Sequence, residues 1–192
     1  KNVVDNMPTD WLNLTTHRLD IYDEELAKTQ FLEQFESLFN SNNYDSVALY
    51  ELPTAFDYIR LGHPLSCVLE WAIARLNNIA SNNVISFSSK TVPVLAILRK
   101  NVLENKDTQI LYTGDLPASF DAEILRTIYG YTFNLKKINN TSAASEFNGS
   151  SIFISEHEDI CNFNLTPNID FFINTHEILG SDLVVNVEKN EN

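Results

Sequence analysis

Between residues 23 and 39 (DEELAKTQFLEQFESLF), apolar side chains recur at Leu26, Phe31, Leu32, Phe35, Leu38 and Phe39, with acids in the first turn. That spacing returns to one face every three or four residues and predicts an amphipathic helix with a packing stripe. Beyond it the pattern alternates. SVALYEL (46 to 52) reads as a strand, and Pro64 opens a helix through LSCVLEWAIARLNNI. VISFS (84 to 88) reads as a strand, TVPVLAILRKNVL as a helix, QILYT (109 to 113) as a strand, and DAEILRTIYG as a helix ending at Gly130. YTFNL, SIFIS, IDFFIN and DLVVNV follow as short β-branched or aromatic runs. Continuously apolar strands alternating with helices predict an α/β class, a mostly parallel sheet with helices on both faces. Residues 1 to 22 show no period and are expected to form an arm, leaving 23 to 192 as a single domain. The small, polar stretch from Lys136 to Ser151 (KKINNTSAASEFNGSS) is expected to be a loop.

Composition narrows the partners. Thirteen basic residues against 26 acidic ones give a net charge of -13, which repels phosphate backbones and anionic lipid, so neither nucleic acid nor membrane is an expected partner. No apolar run approaches the roughly 20 residues of a membrane span, and the first residues lack the basic-then-apolar order of a signal peptide; an intracellular location, cytoplasmic or nuclear, is expected. Cys67 and Cys161 both sit in apolar stretches and are expected to be buried free thiols rather than a disulfide or zinc framework.

The chemistry-bearing clusters are weak by spacing. Glu156-His157-Glu158-Asp159 offers metal ligands by type, but adjacent residues do not converge on one ion in a regular element, so a solvated turn is expected and no metal. His176-Glu177 fails as a joint acid–base pair for the same reason, since neighbours point apart. Phosphate-cradle and nucleophile-elbow motifs are absent.

A more specific constellation runs from 58 to 98 (YIRLGHPLSCVLEWAIARLNNIASNNVISFSSKTVPVLAIL). It resembles the cysteine and methionine metabolism family of pyridoxal-phosphate (PLP) enzymes, the cystathionine γ-synthase-like group. There a Y-x-R-x-G-N-P stretch precedes a helix with an L-E pair, followed by a strand ending in S-S-G. Tyr58, Arg60, Gly62 and Pro64 match, with His63 for the Asn; Leu69-Glu70 and Phe87-Ser88-Ser89 match, with Lys90 for the glycine. ILYTGDLPASF is similar to the family's strand and D-x-Y-G turn, keeping Asp115 but carrying Pro117 for the Tyr that stacks on the cofactor ring. ICNFNLTP is similar to V-D-N-T-F-A-T-P, with Cys161 for the Asp that pairs with the pyridine nitrogen. NTHEILGSDLVV is similar to S-A-T-K-Y-L-x-G-H-S-D-V-V with a short deletion, which sets Glu177 on the Schiff-base lysine.

The resemblance implies the large cofactor domain of fold-type I PLP enzymes, over roughly residues 45 to 187, without the family's carboxy-terminal domain. A carboxylate at 177 forms no imine with an aldehyde, so covalent PLP is not expected. A thiol at 161 supplies no charge to the pyridine nitrogen. Tyr58, Arg60, Ser88 and Ser89 stand as vestigial cofactor-binding positions. The implied function is a non-catalytic pseudoenzyme acting as an interaction or scaffold subunit, with a protein partner in a homo- or hetero-oligomer. In the family the Y-x-R pair holds the neighbouring subunit's PLP phosphate, so an alternative is a regulatory subunit that donates Tyr58 and Arg60 in trans to an active relative. An enzyme of other chemistry using Glu177, His176, His63 or the 156 to 159 cluster is the second alternative.

Overall fold

The computed structural model describes residues 1–12, 24–53, 55, 63–156, 163, 165–178 and 180–187. Contacts group the chain into two units, Lys1–Ala72 and Ile73–Asn192.

The first unit is helical. A short helix α1 (Asn2–Asp5) and a 3-10 turn (Thr9–Leu12) precede α2 (Glu24–Asn40), α3 (Ser46–Tyr50) and the start of α4 (Pro64–Leu76). Trp11, Phe31, Phe35, Leu49 and Cys67 are buried together. Of the segment expected to be an arm, Trp11 lies with its ring centroid 6.0 Å from that of Phe31, while residues 13 to 22 lie outside the described residues. Phe35 and Phe39 both meet the Trp71 ring edge-on, at 5.3 and 5.0 Å. The α2 stripe is therefore a packing face at Phe31, Leu32 and Phe35, whereas Leu26, expected on the same face, is exposed.

The segment 46 to 52 forms a helix, not the expected strand. Asp45 caps it, its carboxylate accepting the Val47 N–H at 2.8 Å. Leu49 is buried and Leu52 packs beside it, whereas Val47 and Tyr50 are exposed. Inward positions three apart suit a helix against a helical core, and this unit offers no described strand to pair with.

The second unit is built on one six-stranded sheet: β1 (Val84–Phe87), β2 (Thr108–Tyr112), β3 (Asn134–Lys137), β4 (Ser150–Glu156), β5 (Phe171–His176) and β6 (Gly180–Val185), in the order β1-β6-β5-β4-β2-β3. β3, β2, β4 and β5 pair in parallel, and β6 runs antiparallel to both of its neighbours, β5 and β1. Five strands thus point one way and β6 alone is reversed, a mostly parallel α/β sheet. Alternate residues feed two cores. Ile110, Ile152, Ile154, Ile173 and Leu183 face α5 (Val92–Leu103) and α6 (Ala122–Thr127) through Val94, Ile97, Leu98 and Leu125. On the other face Leu111, Phe153, Phe172 and Val184 pack with Ile73 and Ala74 from the last turns of α4, and with Ile138, Ala144 and Ile169.

Two sequence expectations shift here. The run YTFNL yields a strand only from Asn134, because Phe133 turns into the helix-side core. The stretch 136 to 151 is not wholly loop: Lys136 and Lys137 finish β3, Ser150 and Ser151 begin β4, and Ile138 and Ala144 are buried.

Candidate functional site

In a parallel sheet, side chains that bind or react gather beyond the carboxyl ends of the strands, where loops and helix starts converge. The same edge collects the positions singled out in the sequence. Ser88, Ser89 and Lys90 follow β1, Asp115 and Pro117 follow β2, Glu156 ends β4, His176 ends β5 and Glu177 follows it. Since β6 is reversed, its first residues Gly180, Ser181 and Asp182 join them.

The β1 exit is tied down by its own groups. Ser89 Oγ accepts the N–H groups of Thr91 and Val92, both at 3.3 Å, at the opening turn of α5. Free N–H groups at a helix start are what would otherwise greet an anion. Ser181 Oγ donates to the Ser89 carbonyl at 2.6 Å, joining the β6 start to the same turn. Lys90 Nζ lies 3.7 Å from Glu156 Oε1, a loose and partly exposed pair. Asp115 is fully exposed, 3.4 Å from Lys137 Nζ, and the Pro117 carbonyl accepts the Phe120 N–H to close a turn.

His176 and Glu177 separate. Glu177 is exposed in the three-residue link between β5 and β6, while His176 turns back across the hairpin, its Nε2 2.6 Å from Asp182 Oδ2. The Asp182 side chain is 5% exposed. The partner of His176 is therefore six residues away, reached through a tight strand reversal.

Asp182 belongs to a polar row that the sequence reading did not find. Register places Ser86 opposite Asp182, Asp182 opposite Asn174, and Asn174 opposite Ser155, so four strands present polar side chains in one line. Asp182, Asn174 and Ser155 are buried. The row lies on the same sheet face as Phe172 and Val184, one step inside the edge, and His176 caps it. The only trace in the sequence is a polar residue at matching depth inside each apolar run, which becomes visible once the strand order is known. Removing the imidazole by His176→Ala takes a partner from a buried carboxylate, and is expected to lower stability by about 2 kcal/mol in urea unfolding. His176→Gln, which keeps a donor, is expected to recover part of that loss.

The remaining sequence candidates have structural roles or lie outside the description. His63 Nδ1 accepts the Leu65 N–H at 3.1 Å and so caps α4 just before Pro64. Tyr58, Arg60, Gly62, Cys161 and His157 to Asp159 lie outside the described residues. No group of three His, Cys, Asp or Glu able to hold a metal occurs among the described residues. Nor is any helix among them long and apolar enough to cross a membrane.

No family model matches the chain, and no curated protein does. Among solved structures, the crystal structure of metB from Corynebacterium glutamicum matches at 14% identity with a TM-score of 0.43, covering 73% of this chain. The match takes in 47% of that protein, so the chain spans about half of its length.

Proposed function

We propose that this chain is a non-catalytic domain of the PLP-enzyme type, a pseudoenzyme that acts as an interaction subunit. The observation that carries the reading is the state of the carboxyl edge, where Ser89, His176, Ser181 and Asp182 are turned on the protein's own groups. Ser89 fills the first turn of α5, His176 is held by Asp182, and Ser181 binds the Ser89 carbonyl. Gly180 packs so tightly on the β1 exit that an added Cβ would sit 2.1 Å from the Phe87 carbonyl oxygen. These residues do not fit PLP as an imine: the β5–β6 link presents Glu177 to solvent rather than an amine to the edge. Large apolar side chains left exposed, Ile124, Ile128 and Tyr129 on and after α6 among them, offer surface that a protein partner would cover.

Titration with PLP in the visible range, then borohydride reduction and intact mass, tests the reading. The expected result is no saturable aldimine band and no adduct fixed at one lysine. Lys90 is the amine to watch, because its exposed pairing with Glu156 is worth well under about 1 kcal/mol and would not hold it back. A stoichiometric adduct abolished by Lys90→Met would return the cofactor to this fold.

The His176–Asp182 contact favours one second reading, an enzyme of different chemistry in which the carboxylate orients the imidazole as a general base. A substrate screen in which His176→Gln and Asp182→Asn abolish the same turnover would establish it; silence across hydrolase and lyase substrates would remove it.

A further inference from the structure

We propose that Asn148 is a self-modifying site, where the side-chain amide closes on the nitrogen of Gly149 and the hydrolysed product loosens the start of β4. Asn148-Gly149 is the one Asn-Gly pair in the chain, and it forms the bend immediately before β4. Asn148 is exposed, and its side chain makes no hydrogen bond among the described residues. Other asparagines are held in place. Asn77 Nδ2 donates to the Ile73 carbonyl at 2.8 Å while its Oδ1 accepts the Phe163 N–H at 3.1 Å, and Asn186 Nδ2 donates to the Thr166 and Ile169 carbonyls. A free amide beside a residue without Cβ brings its carbonyl carbon onto the next backbone nitrogen with no side chain in the way.

The step needs water alone. The Gly149 nitrogen gives its proton to solvent and attacks Asn148 Cγ; the Cγ–Nδ2 bond breaks, and Nδ2 takes up a proton and leaves as ammonia. The product is a five-membered imide that joins side chain to main chain. Water entering at Cγ reopens it to an aspartate on an unchanged backbone. Water entering at the main-chain carbonyl leaves the chain running through Cγ, an isoaspartate with one more carbon in the backbone. Either route consumes one water, releases one ammonia and adds one negative charge. The fold restrains the attacking nitrogen only lightly. Gly149 N–H donates to the Phe147 carbonyl at 3.0 Å, a bond across a single residue and outside the sheet ladder. Bonds of that kind are weak, so releasing it slows the attack by no more than about tenfold.

The seat beyond the bend has no room for a longer backbone. Ser150 N–H donates to the Asp107 carbonyl at 2.8 Å, and a Cβ on Gly149 would fall 2.5 Å from that same oxygen and 2.6 Å from the Phe147 ring. Ser150 then enters β4 opposite Thr108, and β4 lies between β2 and β5 inside the sheet. One added chain carbon, about 1.5 Å of backbone, displaces either the Phe147 side of the bend or the Ser150 to Asp107 bond. Isoaspartate thus loosens the first residues of an inner strand, a mark that accumulates with the age of the molecule. An aspartate at the same exposed position leaves the backbone as it was. None of these residues belongs to the carboxyl edge, so this site stands or falls separately from the pseudoenzyme reading.

The test is incubation of the full chain at neutral pH beside a synthetic peptide of residues 143 to 153, with digestion and mass analysis of the fragment that holds position 148. A gain of one mass unit at 148 is expected, at a rate no more than about tenfold below that of the free peptide and rising with pH as the attacking nitrogen loses its proton. Asn148→Gln, which would have to close a six-membered ring, is expected to keep its mass over the same period. The isoaspartyl fraction, separated by chromatography and identified by fragmentation, is expected to melt about 5 °C below Asn148→Asp, itself within about 2 °C of the fresh protein. A folded rate further below that of the peptide overturns the proposal. So does an equal gain at Asn139 or Asn140, which are exposed but followed by residues that carry a Cβ. An isoaspartyl fraction that melts with Asn148→Asp overturns the loosening of β4.

Discussion

Alanine at position 180 is expected to destabilise the sheet by roughly 3 to 5 kcal/mol, one of the largest effects of a single methyl group anywhere in the chain. Two penalties coincide there. Gly180 has φ +93°, a conformation that an L side chain rarely adopts. Its Cβ would also meet backbone, with the Phe87 carbonyl oxygen at 2.1 Å and Ser88 atoms at 2.8 and 2.9 Å, and backbone cannot swing aside as a flexible side chain can. Relief requires the β6 start to move off the β1 exit, which breaks the Ser181 to Ser89 bond and the His176↔Gly180 pairing. Gly114 separates the two penalties, since it has φ +63° with nothing within 4 Å of its would-be Cβ. Gly114→Ala is expected to lose about 1 kcal/mol, the conformational part alone. Urea unfolding of the two variants side by side checks this. Equal losses would mean that the hairpin is not seated on β1 as described.

What the sequence made legible follows from how local each signal is. The helices at 24 to 40, 64 to 76 and 92 to 103 and the strands beginning at Val84, Thr108, Ser150 and Phe171 declare themselves through their own period and bounding residues. Continuous burial along β4 is legible for the same reason, because SIFIS has no polar face to offer to water. Residues 46 to 50 were misread because SVALY has β-branched and aromatic character in a run too short to show a period, and the deciding feature was the Asp45 cap outside it. The pairing of His176 with Asp182, and the row Ser86, Asp182, Asn174, Ser155, depend on which strands are neighbours and in what register. No local pattern encodes that. Strand order in a sheet with one reversed member is a long-range property, so a reading along the chain found the ends of the strands and not the side chains that meet across them.

In the helical unit, Lys28→Met is expected to lower stability by about 2 kcal/mol, because it takes a cation away from a buried carboxylate. Lys28 Nζ meets Glu70 Oε2 at 2.5 Å, with the Glu70 side chain 7% exposed and that of Lys28 22% exposed. The double variant Lys28→Met/Glu70→Leu, which removes both charges and keeps the volume apolar, is expected to recover most of the loss. Cys67 supplies an independent check on how dry this core is. Burial pushes its thiol up to about 12, against the opposing pull of the Lys28 cation, with Glu70 adding to the rise. The folded state therefore keeps the proton through a range where the unfolded chain, with a thiol near 9.0, has lost it. The linked stability is complete below about pH 9 and falls as pH rises from 9 towards 12, by about 1.4 kcal/mol per unit and about 4 kcal/mol in all. Cys67→Ala abolishes that slope. It is expected to be the less stable protein at pH 7, through the small cavity it leaves, and the more stable one above about pH 10.5. Urea unfolding of both proteins at pH 7, 9 and about 11.5 reads the crossing directly, and parallel curves would place Cys67 in contact with water. A wet Cys67 would also make the Lys28→Met penalty collapse towards that of a surface pair, so the two measurements rise or fall together.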